Sequence, residues 1–187
     1  MKLRKLERKD APFMLEWMQD PVVVENMQAD FARKTLQECE AFIDASQHDK
    51  ENIHLAITNE SDEYMGTVSL KHITASEAEF AIALRKSAMG RGYSKYGMEE
   101  IIRLGLDDLG LASVYWCVSP ENKRAVRFYD KNCYRRVEPV KSRGGTRQGR
   151  SNIIFGTKWN SKCTERDFTT EYENGFLFGH QVKEEAA

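Results

Sequence analysis

The chain has 187 residues, 41% hydrophobic and 30% charged, with 28 basic against 29 acidic side chains and a net charge of −1. That length suits one domain with a substantial core, and the near-neutral balance argues against a general nucleic-acid binder, which carries a basic excess. No apolar run approaches the ~20 residues of a membrane span, and residues 1–10 hold no apolar signal core, so a cytoplasmic protein with no membrane partner is expected. Four cysteines (Cys39, Cys117, Cys133, Cys163) and four histidines (His48, His54, His72, His180) are scattered without metal-ligand spacing. Reduced thiols and no metal site are the expectation.

Residues 2–6 predict a short first strand. Asp10 stands where a helix cap belongs, with Pro12 in the first turn. The helix carries Phe13, Met14, Trp17 and Met18. It ends before Asp20-Pro21, because a residue preceding proline avoids helical backbone. Residues 21–34 contain Met27 and Phe31 as candidate exposed apolar side chains. Thr35-Leu36-Gln37-Glu38 spells a capping box and predicts a helix over 36–46. Residues 54–58 and 64–73 read as strands joined by the polar turn Asn59-Glu60-Ser61-Asp62, a hairpin.

A turn over 74–76 leads to Glu79-Phe80-Ala81-Ile82-Ala83-Leu84, which alternates as a strand. Phe80, Ile82 and Leu84 are expected in a core. Glu79, Ala81 and Ala83 make a small-residue face with one carboxylate, which leaves room for a ligand. A loop ending in Gly90-Arg91-Gly92 follows. A helix is then predicted from Tyr93 to Leu109, with Met98, Ile101, Ile102, Gly105 and Leu109 on one side and Gly110 as its C-terminal cap. Residues 113–118 read as an apolar strand. Ser119-Pro120-Glu121-Asn122 starts another helix, with a cap and then proline in the first turn. Residues 134–140 and 151–159 read as two final strands. The loop between them, Gly144-Gly145-Thr146-Arg147-Gln148-Gly149-Arg150-Ser151, nearly spells a P-loop, but a strand follows where a helix belongs. A hairpin loop is the better reading. Residues 160–187 form a polar, acidic, partly disordered extension. Its Phe168, Tyr172, Phe176 and Phe178 are candidates to pack on the domain or on a second copy in a homodimer.

Strand, glycine loop and helix together make an anion-binding arrangement, because the first helical amides have no partner inside the helix. Arg91 adds a cation. Three phosphate motifs compete for this stretch. A dinucleotide fingerprint wants a third glycine where Lys95 stands, and a P-loop wants Gly-Lys-Ser/Thr where Gly92 is followed by Tyr93. The third is the pyrophosphate loop of acetyl-CoA-dependent N-acetyltransferases. An ordinary tight turn also accounts for a short Gly-x-Gly.

In the last helix Asn122, Ala125, Val126, Tyr129 and Cys133 share one face by spacing, which alone also fits an ordinary amphipathic helix with a core tyrosine. The run Asn122-Lys123-Arg124-Ala125-Val126-Arg127-Phe128-Tyr129-Asp130-Lys131-Asn132-Cys133-Tyr134 resembles the Asn-x-x-Ala-x-x-Phe-Tyr-x-Lys-x-Gly-Phe signature of GNAT-superfamily N-acetyltransferases. It lies downstream of Met89-Gly90-Arg91-Gly92-Tyr93, which is similar to that family's CoA loop. The resemblance extends over about residues 2–159. Residues 17–21 and the Glu79 strand look most like the branch of ribosomal-protein N-terminal, spermidine and amino-sugar acetyltransferases.

The resemblance implies an α/β (α+β) GNAT-like domain over residues 1–159. Its central sheet is mixed, mostly antiparallel, with six to seven strands and about four flanking helices. It implies an enzyme that moves the acetyl group of acetyl-CoA to a primary amine, on a small molecule or peptide, by direct attack in a ternary complex. Tyr129 is the implied proton donor to the leaving thiolate. Glu79 is the implied base or ammonium anchor, against a solvent-facing strand glutamate as the plain alternative. The implied cofactor-binding residues are Ile82, Ala83 and Leu84 for the pantetheine arm, and Met89, Gly90, Arg91, Gly92, Tyr93 and Ser94 for the pyrophosphate, with Asn122, Phe128 and Lys131 alongside. Acidic residues Asp20, Glu25, Asp30 and Glu77 weakly favour a cationic acceptor. Two departures stand out. Ser87 replaces the family's Gln/Arg before the loop, and Cys133 replaces a glycine after the helix, which suggests a different turn there. A non-catalytic acyl-CoA-binding domain of the same fold, and a dinucleotide-dependent enzyme, are the alternatives.

Overall fold

In a computed structural model of the chain, the described residues are 1–27, 29–134, 136–137 and 153–158. Their elements are β1 (Lys2–Lys5), α1 (Ala11–Gln19), α2 (Pro21–Val24), α3 (Leu36–Ser46), β2 (Ile53–Thr58), β3 (Tyr64–Lys71), β4 (Glu77–Leu84), α4 (Tyr93–Arg103), β5 (Ser113–Val118), α5 (Lys123–Lys131), β6 (Arg136–Val137) and β7 (Ile153–Lys158). Strand order is β1-β2-β3-β4-β5-β7-β6. The β1–β2, β2–β3, β5–β7 and β6–β7 pairs are antiparallel, and β4–β5 is parallel. The expected mixed sheet is therefore present. The helices number five among the described residues rather than about four, the extra one being the single turn α2. The near-P-loop of residues 144–151, the extension of residues 160–187, Cys163 and His180 lie outside the described residues, as do parts of the last two predicted strands.

The chain divides into two units, residues 1–73 with 80–103, and residues 74–79 with 104 onward. In the first unit α1 contributes Met14, Trp17 and Met18 to a core with Cys39, Ile43, Ala56 and Tyr64. The buried Tyr64 hydroxyl accepts from Trp17 Nε1 at 3.0 Å and bonds Thr67 Oγ1 at 2.7 Å, so this phenol is satisfied away from water. Helix α4 crosses the sheet closely at Gly97, where a Cβ would come within 2.5 Å of Ile57 and 3.0 Å of Val68. The capping box forms as predicted, with Glu38 N–H donating to Thr35 Oγ1 and Thr35 N–H donating to Glu38.

Three expectations in this unit need correction. Asp10 does not cap α1 with its side chain. Its carboxylate is buried and accepts from the Arg4 guanidinium at 2.7 and 2.8 Å and from Glu7 N–H at 2.9 Å. Residues 21–24 form α2, with Asp20 accepting from Val22 N–H as its cap. Met27 and Phe31 are not exposed. They pack on the core, Phe31 edge-on to Trp17 at 5.3 Å, and the large apolar side chain exposed among the described residues of this stretch is Val22 at 58%.

In the second unit Leu104–Asp108 form a π turn after α4, closed by Leu109 N–H donating to Leu104 O and Leu111 N–H to Gly105 O around Gly110 at φ +69°. The wider turn rotates Leu109 out of the predicted apolar stripe, and it is exposed. Helix α5 begins at Lys123, capped by Asn122, so the Ser119-Pro120 pair belongs to the preceding turn and not to the helix.

Candidate active site

The predicted site residues fall into two sets, one inside each unit. The first unit holds the glycine loop. After β4, a 3₁₀ turn over Lys86–Ala88 leads to Met89, and α4 starts at Tyr93 with Tyr96 N–H donating to Gly92 O at 3.0 Å. Gly90 and Gly92 sit at φ +78° and +87°, which L side chains rarely adopt. A Cβ at Gly90 would meet nothing within 4 Å, and at Gly92 only Met1 Cε at 3.6 Å. Backbone conformation is therefore the requirement at these glycines, rather than crowding. Arg91 and Gly92 are exposed, Ser94 is half-buried, and the Tyr93 ring is buried. The Arg91 guanidinium lies 5.9 Å from the Tyr93 ring centroid. The Met89 amide donates to Lys86 O at 3.2 Å, so the turn engages one of the amides expected to face a phosphate.

Of the three strand residues expected beside a cofactor arm, Leu84 is buried while Ile82 and Ala83 are half-buried. Ile82 thus departs from the core position its alternation predicts. Gly66 on β3 has no Cβ because one would lie 2.4 Å from Leu84 Cδ2 and 2.5 Å from the Ala83 carbonyl oxygen.

The second unit holds Glu79, Tyr129, Asn122, Phe128 and Lys131. The β4–β5 ladder has the register pairs Glu77–Ser113, Ala78–Val114 and Glu79–Tyr115. Glu79 is half-buried opposite Tyr115. Burial, then the Glu79 charge, then Cys117 raise the Tyr115 phenol above its ordinary value. Tyr115 is a neighbour that strand alternation alone does not reveal, because it takes the β4–β5 register to pair it with Glu79. Glu77, expected among the acidic residues near an acceptor, is only 3% exposed. It cannot contribute surface charge there.

Tyr129 is buried in an aromatic cluster. Its ring centroid lies 5.0 Å from Phe155, 5.3 Å from Phe128, 5.4 Å from Trp116 and 6.2 Å from Tyr134. Desolvation, with a smaller push from Tyr134, holds its phenol well above the ordinary value, so it keeps its proton at neutral pH. Asn122 Oδ1 accepts from Ala125 N–H at 3.0 Å and thereby fixes the start of α5. Phe128 is half-buried, and Lys131 is exposed in the last helical turn. Cys133 leaves the predicted helix face. It takes φ +61°, with its N–H donating to Asp130 O and Tyr134 N–H donating to Tyr129 O. That is the Schellman closure a glycine ordinarily makes, so the expectation of a different turn at this position is not met.

The family model for the acetyltransferase (GNAT) domain matches residues 1–134. An N-acetyltransferase called p20 from Bacillus licheniformis is 27% identical over 134 residues, covering 67% of this chain and 74% of that protein. Among solved structures, the fold is similar to a spermidine N-acetyltransferase from Vibrio cholerae, solved with CoA and spermine. The TM-score is 0.67 at 21% identity, over 83% of this chain and 92% of that one. It is also similar to a GNAT-family acetyltransferase from Bacillus anthracis, with TM-score 0.66 at 17% identity, over 82% and 90% of the two chains.

Proposed function

The chain belongs to the GNAT acetyltransferase family and is an acetyl-CoA-dependent acyltransferase, and on that premise we propose that it acetylates the primary amine of a small molecule or peptide by direct attack in a ternary complex. The observation that carries this reading is Tyr129, a phenol fixed in an aromatic cluster with Trp116, Phe128 and Phe155 on a helix whose start is capped by Asn122. In the proposed step the amine nitrogen bonds to the acetyl carbonyl carbon, and the carbon–sulfur bond breaks. The thiolate leaves with the electron pair and takes the Tyr129 hydroxyl proton. The amine's surplus proton passes to a base. Glu79 serves as that base, directly or through water, or as the anchor of the incoming ammonium.

The amides of Ile82, Ala83 and Leu84 are proposed to bind the pantetheine arm and polarise the carbonyl. This is supported by Ile82 and Ala83, which are only half-buried on their strand. Amides from Gly90 to Ser94, at positive-φ glycines and a helix start, are proposed to receive the pyrophosphate with Arg91. Asn122 commits its Oδ1 to the cap, which leaves its amide nitrogen to hydrogen-bond the cofactor arm beside Phe128 and Lys131. Glu25 and Asp30 are exposed in the segment after α1. Asp20, by contrast, is engaged by Val22 N–H and lies 3.7 Å from Lys86 Nζ. The exposed carboxylates support a cationic acceptor such as a polyamine or a peptide N-terminus. A cytoplasmic setting is part of the proposal, and the homodimer remains an expectation for residues 160–187.

The test is acetyl-CoA-dependent release of free thiol across polyamines, amino sugars, amino-acid derivatives and N-terminal peptides. Amine-dependent release from one class supports the reading and identifies the acceptor. Binding of acetyl-CoA with no release from any amine favours the non-catalytic acyl-CoA-binding alternative.

A further inference from the structure

Arg85 is 9% exposed, although it carries a permanent charge. It is the residue between β4 and the turn that opens the glycine loop. Its guanidinium is held from three sides. Nε and Nη2 donate to the Glu16 carboxylate of α1 at 3.1 and 2.8 Å. Nη1 donates to Glu63 at 2.7 Å and to the Tyr64 carbonyl at 3.1 Å, both at the end of the β2–β3 hairpin. The guanidinium carbon also lies 4.4 Å from the Phe13 ring centroid. The backbone is fixed at the same residue, with Arg85 N–H donating to Met65 O and Arg85 O accepting from Ala88 N–H, each at 3.0 Å.

We propose that Arg85 is the positioning residue of the loop that receives the acyl donor's pyrophosphate, an inference that rests on the acetyl-CoA reading above. The segment from Gly90 to Gly92 contains two glycines at positive φ, where a Cβ would meet nothing within 4 Å at Gly90 and only Met1 Cε, at 3.6 Å, at Gly92. Such a segment has little of its own to hold it in one shape. Its geometry is set by its two ends. One end is the buried Tyr93 ring at the start of α4. The other is Arg85. A buried guanidinium is costly unless its donors are matched, so the fork on Glu16 together with the bond to Glu63 gives Arg85 one low-energy place. Lysine, with a point charge and no fork, cannot reproduce it. Arg85 touches neither substrate nor reacting atoms in this role and acts through the loop.

The alternative is a clamp that stabilises the fold and nothing more. A general weakening of the fold lowers turnover of every donor alike. A displaced pyrophosphate loop penalises only donors that possess a pyrophosphate. The experiment therefore compares kcat/KM for acetyl-CoA with kcat/KM for S-acetylpantetheine, which lacks the pyrophosphate and the nucleotide, at saturating amine. Arg85→Met is expected to lower the ratio of the two about tenfold, the scale of effect for residues that orient a site from behind, with Arg85→Lys falling between it and wild type. Arg4→Met is the control, since Arg4 is a comparable clamp tying β1 to Asp10 and Asp62 in the same unit; its ratio is expected to match wild type. If Arg85→Met does not fold, Glu16→Gln and Glu63→Gln loosen the clamp one arm at a time and must shift the ratio in the same direction. A ratio within twofold of wild type in every folded variant overturns the proposal. Wild-type turnover with neither donor overturns the acetyl-transfer reading itself, which is a separate result from an unchanged ratio.

Discussion

Two turns in this molecule use left-handed backbone beside the proposed chemistry, and they reach it by opposite means. In the loop before α4, Gly90 and Gly92 adopt positive φ in open surroundings. At the end of α5, Cys133 adopts φ +61° although it bears a side chain. Below that second turn, Trp116, Tyr129, Tyr134 and Phe155 form a packed aromatic cluster. The Schellman hydrogen bonds on Tyr129 O and Asp130 O close the turn over it. Packing dictates the backbone at α5, and a non-glycine residue tolerates the strain. At the two loop glycines almost nothing packs, so the residue type must supply the conformation, and the flanking Met89 and Tyr93 with the Arg85 turn behind them must supply the position. Substitutions in the two places should therefore fail differently, one through stability and the other through donor affinity.

The largest effect separates them most sharply. Phe155 is fully buried, stacked on Trp116 at 6.1 Å and tilted against Tyr129 at 5.0 Å. Phe155→Ala should destabilise the fold by about 3–5 kcal/mol in denaturant titration. An effect below about 1 kcal/mol would mean that the aromatic cluster does not hold α5 in place. At the loop, Gly92→Ala puts a Cβ on backbone at φ +87°. It should cost about 1–2 kcal/mol if the backbone stays left-handed, or shift the loop if it does not. Either way KM for acetyl-CoA should rise about tenfold with kcat for saturated enzyme little changed, and an unchanged KM would remove the loop from donor binding.

Alkaline pH probes the buried phenols. Tyr64 and Tyr129 are both held above the ordinary phenol value, chiefly by desolvation. The folded state therefore binds these protons more tightly than the unfolded chain does. This contribution to stability is fully present below about pH 10 and is lost as pH rises above it. Melting temperature should fall more steeply above pH 10 in wild type than in a Tyr129→Phe variant, and equal slopes would show that Tyr129 titrates alike in the folded and unfolded states. The smallest effect is expected at Cys133. Cys133→Gly relieves left-handed strain but frees the unfolded chain, so stability should change by only about 0.5 kcal/mol. Turnover should be unchanged, because the Schellman bonds that set Tyr129 are backbone bonds.

Much of this was legible locally. The Thr35 capping box located α3, the alternation after residue 79 located the strand, and Gly-Arg-Gly located the loop. The failures share a cause, which is that the deciding partner is distant in sequence or depends on register. Asp10 looks like a cap until Arg4 claims its carboxylate. Arg85 draws no reading from the sequence, because its partner Glu16 lies 69 positions away. Glu77 and Glu79 look alike on one strand face, yet only Glu77 is buried. Leu109 fits a helical stripe until the π turn adds a residue to it. Ser119 reads as the cap of α5 until Asn122 Oδ1 takes the Ala125 N–H.

The most direct test of the proposed mechanism is the turnover of Tyr129→Phe, measured as amine-dependent thiol release on protein whose melting temperature at pH 7 matches wild type. Removing one buried oxygen leaves the aromatic packing in place and takes away the proton the leaving thiolate needs. The account predicts a loss in kcat of about 100-fold or more, with KM for acetyl-CoA little changed. Turnover equal to wild type would contradict it and leave the thiolate's proton to another group.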